Sequence, residues 1–472
     1  MSKIVYLPIK TPEKYYIYDR SVDTVFSVSE DEFQEFVGLL TSKDYDQSEV
    51  IKKYQQRGLL RENNVDIICH PATDAIAHYL DSCLSSLVLQ VTQQCNLRCW
   101  YCAYSGLYHN RVHNASRMSF ETAKRAIDFY LSRTGEKNRV YFGFYGGEPL
   151  LEFDLIKKCV EYVKKSVEGK EVLFGLTTNG TLLTDEKIDF FYGNNFSLII
   201  SLDGSKEEHD SCRKFPNGEG SFDIVTRNID RIRKLHPDYV RKVGISTVIS
   251  PQAELNNVLE YFDTDEVFAD TNIIMSPMVS SGLKEEIDFK ESFHLVRRYE
   301  LLKFLLFLIG KIDRECVSKL MIRSQRTYQD LYRSLKQHTV QPHCTHHGGP
   351  CLPGIQKLFV DTSGNFYPCE KVSESTSATQ IGSLDKGFDI ENIKRILNIG
   401  KLTENECKDC WALPHCNICV KELDSTEGQA CYEKRDKINA CQNSKGSIAS
   451  ELYQMCVLHE FGYRLDEEEI IL

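Results

Sequence analysis

Apolar residues recur along the middle of the chain in short runs separated by amphipathic stretches. Positions 87–91, 139–145, 172–179, 196–201, 243–249 and 272–278 are runs of strand length, rich in Val, Ile, Leu and Phe. Between the first two, Ser119 precedes apolar positions at 120, 123, 127, 130 and 131, the pattern of a capped amphipathic helix. Helical spacing returns from Thr184 and again through Phe222, Val225, Ile229 and Ile232. Leu155, Ile156, Cys159, Val160, Val163 and Val167 form a further stripe, in which Cys159 is expected to be buried as a small hydrophobe. Strands alternating with helices predict an α/β fold with a parallel sheet and a functional end at the strands' C-termini.

The flanks read differently. Before the first run, 15–19 and 24–28 are strand-like and are followed by helical patterns near 29–40 and 48–57, then Leu59-Leu60, a winged-helix order. A Leu-rich stretch at 295–307 predicts a connecting helix. Near the end, two short strand-like pieces flank the turn Asp361-Thr-Ser-Gly364, a hairpin that sets Cys369 beside Cys351. The expected division is 1–80, 81–310, a helical linker over 311–340, and 341–472.

Composition narrows the function. The 472 residues are 42% apolar and 26% charged, with 27 Gly and 13 Pro spread thinly, which excludes a single small module and a disordered chain. A net charge of −11 argues against nucleic acid as a partner. No secretory signal pattern and no membrane span is visible, so a cytoplasmic location is expected, with no membrane partner. The 18 cysteines are then too many for ordinary use and favour metal ligation over disulfides.

Seven cysteines lie singly, and eleven fall into one triplet and a C-terminal series. The triplet is Cys95-Asn-Leu-Arg-Cys99-Trp-Tyr-Cys102, directly after the first strand-like run. Three thiols in one loop are one short of a closed tetrahedral site and leave one iron of a cubic cluster open. This Cys-x3-Cys-x2-Cys loop, with an aromatic at Tyr101, resembles the signature of the radical S-adenosylmethionine (SAM) enzymes, in which the open iron chelates SAM. Gly146-Gly147-Glu148 resembles the family's motif for the SAM amino group. The segment from Ser201 and Asp203 to Arg213 resembles the one that positions SAM in SPASM-type members. That resemblance assigns Ser201 and Asp203 to the ribose and Arg213 to the methionyl carboxylate, with Ser246 and Met275 lining the adenosine pocket. It also implies a partial (β/α)6 barrel.

From Cys351 onward the pattern is Cys-x12-Gly-x4-Cys369, then Cys407-x2-Cys410-x5-Cys416-x2-Cys419, Cys431 and Cys441. Zinc ribbons separate their pairs by about 15–20 residues, whereas five intervene here. The series resembles the SPASM domain, departing in the x2 before Cys419 where the family has x3. The resemblance implies two auxiliary 4Fe-4S clusters, for three clusters in all. Cys351, Cys369 and Cys419 would hold one, with Cys344 as its fourth ligand or a free thiol. Cys407, Cys410, Cys416 and Cys431 would hold the other, with Cys441 a spare or an alternative to Cys431. His343, His346 and His347 read as loop residues.

Residues 1–80 resemble the leader-recognition module fused to maturases of ribosomal peptides, in which a peptide adds a strand to a sheet edge. Together these features resemble the sactipeptide and ranthipeptide maturases. The implied activity is hydrogen abstraction by a 5′-deoxyadenosyl radical, followed by a thioether bond between a peptide cysteine sulfur and a carbon. The implied partners are a cysteine-rich precursor peptide with its leader and a flavodoxin- or ferredoxin-like reductant. The competing enzyme reading is a formylglycine-forming sulfatase maturase, and the competing non-enzyme reading is a silent iron–sulfur scaffold or leader-peptide chaperone. No general base is identifiable.

Overall fold

The computed structural model describes residues 3–463 except 110, 266–267, 269–270, 280, 323 and 424–427. Its N-terminal part is a three-stranded antiparallel sheet, β1 (Tyr6–Lys10), β2 (Tyr15–Asp19) and β3 (Thr24–Val28), in the order β1-β2-β3. Helices α1 (Glu30–Ser42) and α2 (Glu49–Gln55) follow. Ser29 starts α1 with a capping box to Glu32. The two-residue strand β4 (Ile67–Ile68) and α3 (Ile76–Ser82) lead into the barrel.

The barrel strands are β5 (Ser86–Thr92), β6 (Arg139–Gly146), β7 (Glu171–Thr178), β8 (Phe196–Ser201), β9 (Val243–Ile249) and β10 (Asn272–Pro277). Each is parallel to its neighbour and the six lie in chain order. The intervening helices are α4 (Phe120–Leu131), α5 (Phe153–Ser166), α6 (Asp185–Gly193), α7 (Lys206–Cys212), α8 (Phe222–Leu235) and α9 (Leu255–Thr264). The apolar stripes of α4, α5, α6, α8 and α9 meet the strands in one core, and Cys159 is fully buried there as expected.

Helices α10 (Glu291–Leu308), α11 (Lys319–Ile322) and α12 (Ser324–Lys336) connect to the C-terminal region. Strand β11 (Cys344–Thr345) runs parallel to β4. The expected hairpin is present as β12 (Leu358–Val360) and β13 (Asn365–Tyr367), followed by β14 (Gly382–Ser383) and β15 (Gly387–Phe388). Helices α13 (Ile390–Leu397), α14 (Glu404–Lys408) and the 27-residue α15 (Lys434–Glu460) complete the chain.

Two features depart from the sequence reading. Strand β12 adds to the barrel, parallel to β5 with Leu358 opposite Leu87, so a single ten-stranded sheet runs from β10 to β15. The N-terminal sheet is also embedded rather than appended. Ile17 faces α1 and Phe36, while Tyr16 and Tyr18 face α12 and α15, the two-faced burial that a period of two allows. Arg20 reaches across to donate to the carbonyl of Lys408 at 2.6 Å. Among the described residues no helix is long and apolar enough to cross a membrane.

Candidate active site

Strand β5 delivers the triplet loop to the C-terminal end of the barrel sheet. Gly147 N donates to Thr92 O at 2.9 Å and Glu148 N to Gln94 O at 2.8 Å, which fastens the end of β6 to this loop. A Cβ on Gly146 would run into Thr92 O, and one on Gly147 into Gln94 O. The glycines are therefore required for packing against the loop backbone, the close approach that only glycine permits. On the other side Arg98 N donates to Lys214 O at 2.7 Å.

Within the loop, Cys99 is buried and Cys95 and Cys102 are half-buried. Backbone N–H groups of Leu97 and Tyr104 donate to Cys95 Sγ at 3.4 Å and Cys102 Sγ at 3.5 Å. Asn179 Nδ2 lies 3.8 Å from Cys95 Sγ and donates to Asn96 Oδ1 at 2.9 Å. Burial pushes the thiols up, Cys95 to about 11 and Cys99 to about 12, and the neighbouring thiols add to the shift. Thiols that burial keeps from ionising become stable thiolates only beside a cationic partner, as metal ligation provides. The donor set therefore fits an iron–sulfur cluster held at three corners.

Two residues expected to contact SAM are also engaged within the protein. Glu148 is fully buried, and its carboxylate already accepts from Thr178 Oγ1 at 2.7 Å, Asn179 N at 2.7 Å and Leu150 N at 3.0 Å. Burial raises its pKa, and the side chain braces β6 against β7. Asp203 is likewise held by neighbours within the protein. It takes a two-pronged ion pair from Arg213, Nε to Oδ2 at 2.8 Å and Nη2 to Oδ1 at 3.2 Å, and also accepts from Tyr101 Oη and from Val248 N at 3.0 Å. Burial alone would lower the Arg213 pKa, but Asp203 holds it well above its usual value. The Arg213 guanidinium lies 5.5 Å from the Tyr101 ring centroid. Ser201 and Ser246 are half-buried partners across the β8–β9 ladder, and Met275 on β10 is half-buried against the core.

His209, which the sequence did not single out, sits beneath this pair. Its Nδ1 accepts from Asp203 N at 3.3 Å and its Nε2 pairs with Ser221 Oγ at 2.9 Å. Burial, assisted by Arg213, pushes it down to about 4. The unfolded chain thus binds the proton more readily, and stability falls as pH drops from about 6.5 towards 4. The expected contribution is a loss of about 2 kcal/mol between pH 7 and pH 5. Urea unfolding of the wild type and His209→Gln at both pH values checks this, since the variant should lose that part of the slope.

The C-terminal cysteines fall into two sets. Cys351 interacts with Cys369 and Cys419, and burial pushes it up to about 11. A Cβ on Gly349 would meet the backbone of Asn417 and Ile418, the close approach that brings 351 to 419 despite the shortened spacing. Cys344 is not in this set. It is exposed, and its Sγ lies 3.9 Å from Cys69 O because β11 pairs with β4.

The other set lines a cavity of about 190 Å³ with Cys407, Cys410, Cys416 and Cys441. One water needs only about 10–15 Å³, so the space fits a polyatomic occupant. Of the two cysteines left as alternatives, Cys441 lines this cavity and Cys431 does not. Cys431 is exposed ahead of α15, whereas Lys437, Cys441 and Ser444 project from one face of that helix into the cavity. His347, expected as a mere loop residue, is buried and also lines it. Among the described residues no three His, Cys, Asp or Glu side chains are grouped to hold a single metal ion.

Residues 89–260 match the family model described as the radical SAM superfamily. Over that stretch the chain is similar to the radical SAM superfamily. The cysteine-type anaerobic sulfatase-maturating enzyme of Clostridium novyi (strain NT) is 32% identical over 183 residues, covering 38% of this chain and 48% of that protein. The radical SAM cyclopropyl synthase TigE of Paramaledivibacter caminithermalis is 20% identical over 362 residues, covering 74% of this chain and 70% of that protein. Among solved structures, native anSMEcpe with bound AdoMet matches with a TM-score of 0.57 at 22% identity, covering 79% of this chain and 99% of that one. The chain spans about half the length of the sulfatase-maturating relative, and the likeness to the solved structure is one of fold. The stretch that matches the family model is flanked by further elements on both sides.

Proposed function

We propose that the protein is a radical SAM maturase that forms thioether crosslinks in a cysteine-rich, ribosomally made precursor peptide. Cys95, Cys99 and Cys102 would hold the SAM-binding cluster, Cys351, Cys369 and Cys419 a first auxiliary cluster, and Cys407, Cys410, Cys416 and Cys441 a second. When bound, the cluster at Cys95, Cys99 and Cys102 would supply the one-electron reductant for SAM on which hydrogen abstraction from the peptide depends. The chain's own residues orient and exclude water. Asp203, Tyr101 and Arg213 lock the loop below the strand ends, Gly146 and Gly147 let β6 close on it, and Ser201 and Ser246 remain as polar groups at the rim.

The observation that carries the choice of peptide class is the N-terminal sheet. Both its faces are covered, yet β1 and β3 end the strand order. Pro8 removes a donor from β1, leaving β3 as the edge to which an extended leader can add a strand. The solved sulfatase-type fold is covered almost completely while a fifth of this chain lies outside it, which supports an added recognition module. The relatives' names favour a second reading, oxidation of a Cys or Ser side chain to formylglycine.

Mass spectrometry of a cysteine-rich precursor after anaerobic incubation with reconstituted protein, SAM and reductant separates the two. Loss of two hydrogens per modified cysteine, with those thiols closed to alkylation, is expected. A formylglycine product on a sulfatase-type peptide, with no change in the precursor, would replace the proposal with the second reading. Iron analysis tests the ligand assignment: Cys441→Ala should bind about a third less iron than the wild type, and Cys431→Ala the same amount. The reverse result would restore Cys431.

A further inference from the structure

The cavity lined by Cys407, Cys410, Cys416 and Cys441 holds a charge that its own protein neighbours do not balance. Lys437, on the first turn of α15, has no accessible surface. Its Nζ donates to Thr403 Oγ1 at 3.0 Å and lies 3.8 Å from Cys407 Sγ, and among the described residues no carboxylate pairs with it. Glu406 also lines the cavity, but it is half-exposed and paired with Lys434. Lysine is almost never fully buried without a counter-charge, because an unpaired ammonium in a poorly solvated site is costly. The space beside it is where that counter-charge belongs.

A second, independent group points the same way. His347 is 1% exposed, and its Nδ1 accepts from Gly349 N at 3.4 Å. That bond places the ring proton on Nε2, and Nε2 is a buried atom with no partner. His346 fixes the neighbouring backbone, with Nε2 accepting from Gly400 N at 2.9 Å and Nδ1 paired with His347 O at 2.8 Å. Thr403 Oγ1 and Ser444 Oγ lie 3.2 and 3.8 Å from Cys407 Sγ and Cys416 Sγ. The cavity is thus lined by four thiols and by donors, with a cation that is unpaired until an anion arrives.

We propose that Lys437 and His347 are positioning residues for an anionic iron–sulfur cluster in this cavity and raise its reduction potential relative to a site without them. A 4Fe-4S core with four thiolates is already an anion, and reduction by one electron adds a further negative charge. A buried ammonium and an unpartnered N–H on residues that line the same space stabilise the reduced form more than the oxidised one. This inference rests on the cluster assignment of the proposed function.

The test is an EPR-monitored redox titration, with mediators, of the anaerobically reconstituted full chain. Cys410→Ala first identifies the signal that belongs to the cavity. If that variant keeps the wild-type iron content and every wild-type signal, the cluster assignment itself fails, whatever the lysine does. Given the assignment, Lys437→Met should lower the midpoint of that signal alone by at least a tenfold change in the reduction equilibrium, about 59 mV for one electron. Lys437→Arg should restore most of it, and His347→Phe should shift it in the same direction by less. A Lys437→Met protein that loses only this cluster, while Lys437→Arg keeps it, supports the same role. Full iron content with an unmoved midpoint in Lys437→Met would overturn the inference.

Discussion

Replacing Cys99 with alanine is expected to abolish SAM cleavage and peptide modification together. The side chain is buried and feels the Cys95 and Cys102 thiols, and three thiolates are the least that can hold the cluster at its closed corners. No substitute stands ready, because the nearby Cys212 thiol is engaged by Trp100 Nε1 at 3.1 Å. The loop itself should survive, since the backbone bonds from Arg98 N to Lys214 O and from Cys102 N to Cys99 O do not involve the side chain. The expected result is folded protein with about a third less iron and 5′-deoxyadenosine at the level of a protein-free control. Release of 5′-deoxyadenosine at a tenth of the wild-type rate or more would sink the assignment of this loop.

The largest effect on stability is expected at Asp203. Arg213 and Asp203 are both buried and paired through two nitrogens. Removing one partner of such a pair leaves the other charge in a site without solvent, at a cost of about 3–5 kcal/mol. Asp203→Asn keeps the size and an acceptor for Val248 N but withdraws the charge, so most of that loss should appear as a lower urea midpoint. Replacing both residues with leucine should recover much of it, because no orphaned charge remains. A wild-type midpoint in Asp203→Asn would mean that the pair does not hold the loop in place.

The barrel was legible because its strands are short apolar runs that alternate with amphipathic helical stretches; strand 243–249 coincides with β9 to the residue. What escaped were elements whose stability comes from distant partners. Strand β12 is three residues long, and nothing local reveals that Leu358 will lie beside Leu87. Strand β1 carries Pro8 and Lys10, which interrupt its apolar pattern. Among the site residues, spacing identified the cysteines but could not choose between Cys431 and Cys441. The choice depends on which face of α15 meets the cavity. Asp203 and Arg213 were both singled out, ten residues apart, but their mutual pairing is a property of the fold around Tyr101 and Val248. Lys437 and His347 carried no sequence signal, since an isolated Lys or His in a polar stretch is ordinary until its burial is known.

The junction between β5 and β12 has a consequence for how the protein is made. Strand β5 emerges from the ribosome about 270 residues before the strand that covers its outer edge. At roughly 5–20 residues per second that edge waits for about 14 to 54 s. Throughout synthesis of β6 to β10 a row of unpaired amides beside Leu87 and Leu89 stays open to any passing strand, the hazard that exposed sheet edges carry. The nascent barrel is therefore a client for holding chaperones, and slow growth at low temperature should raise soluble yield.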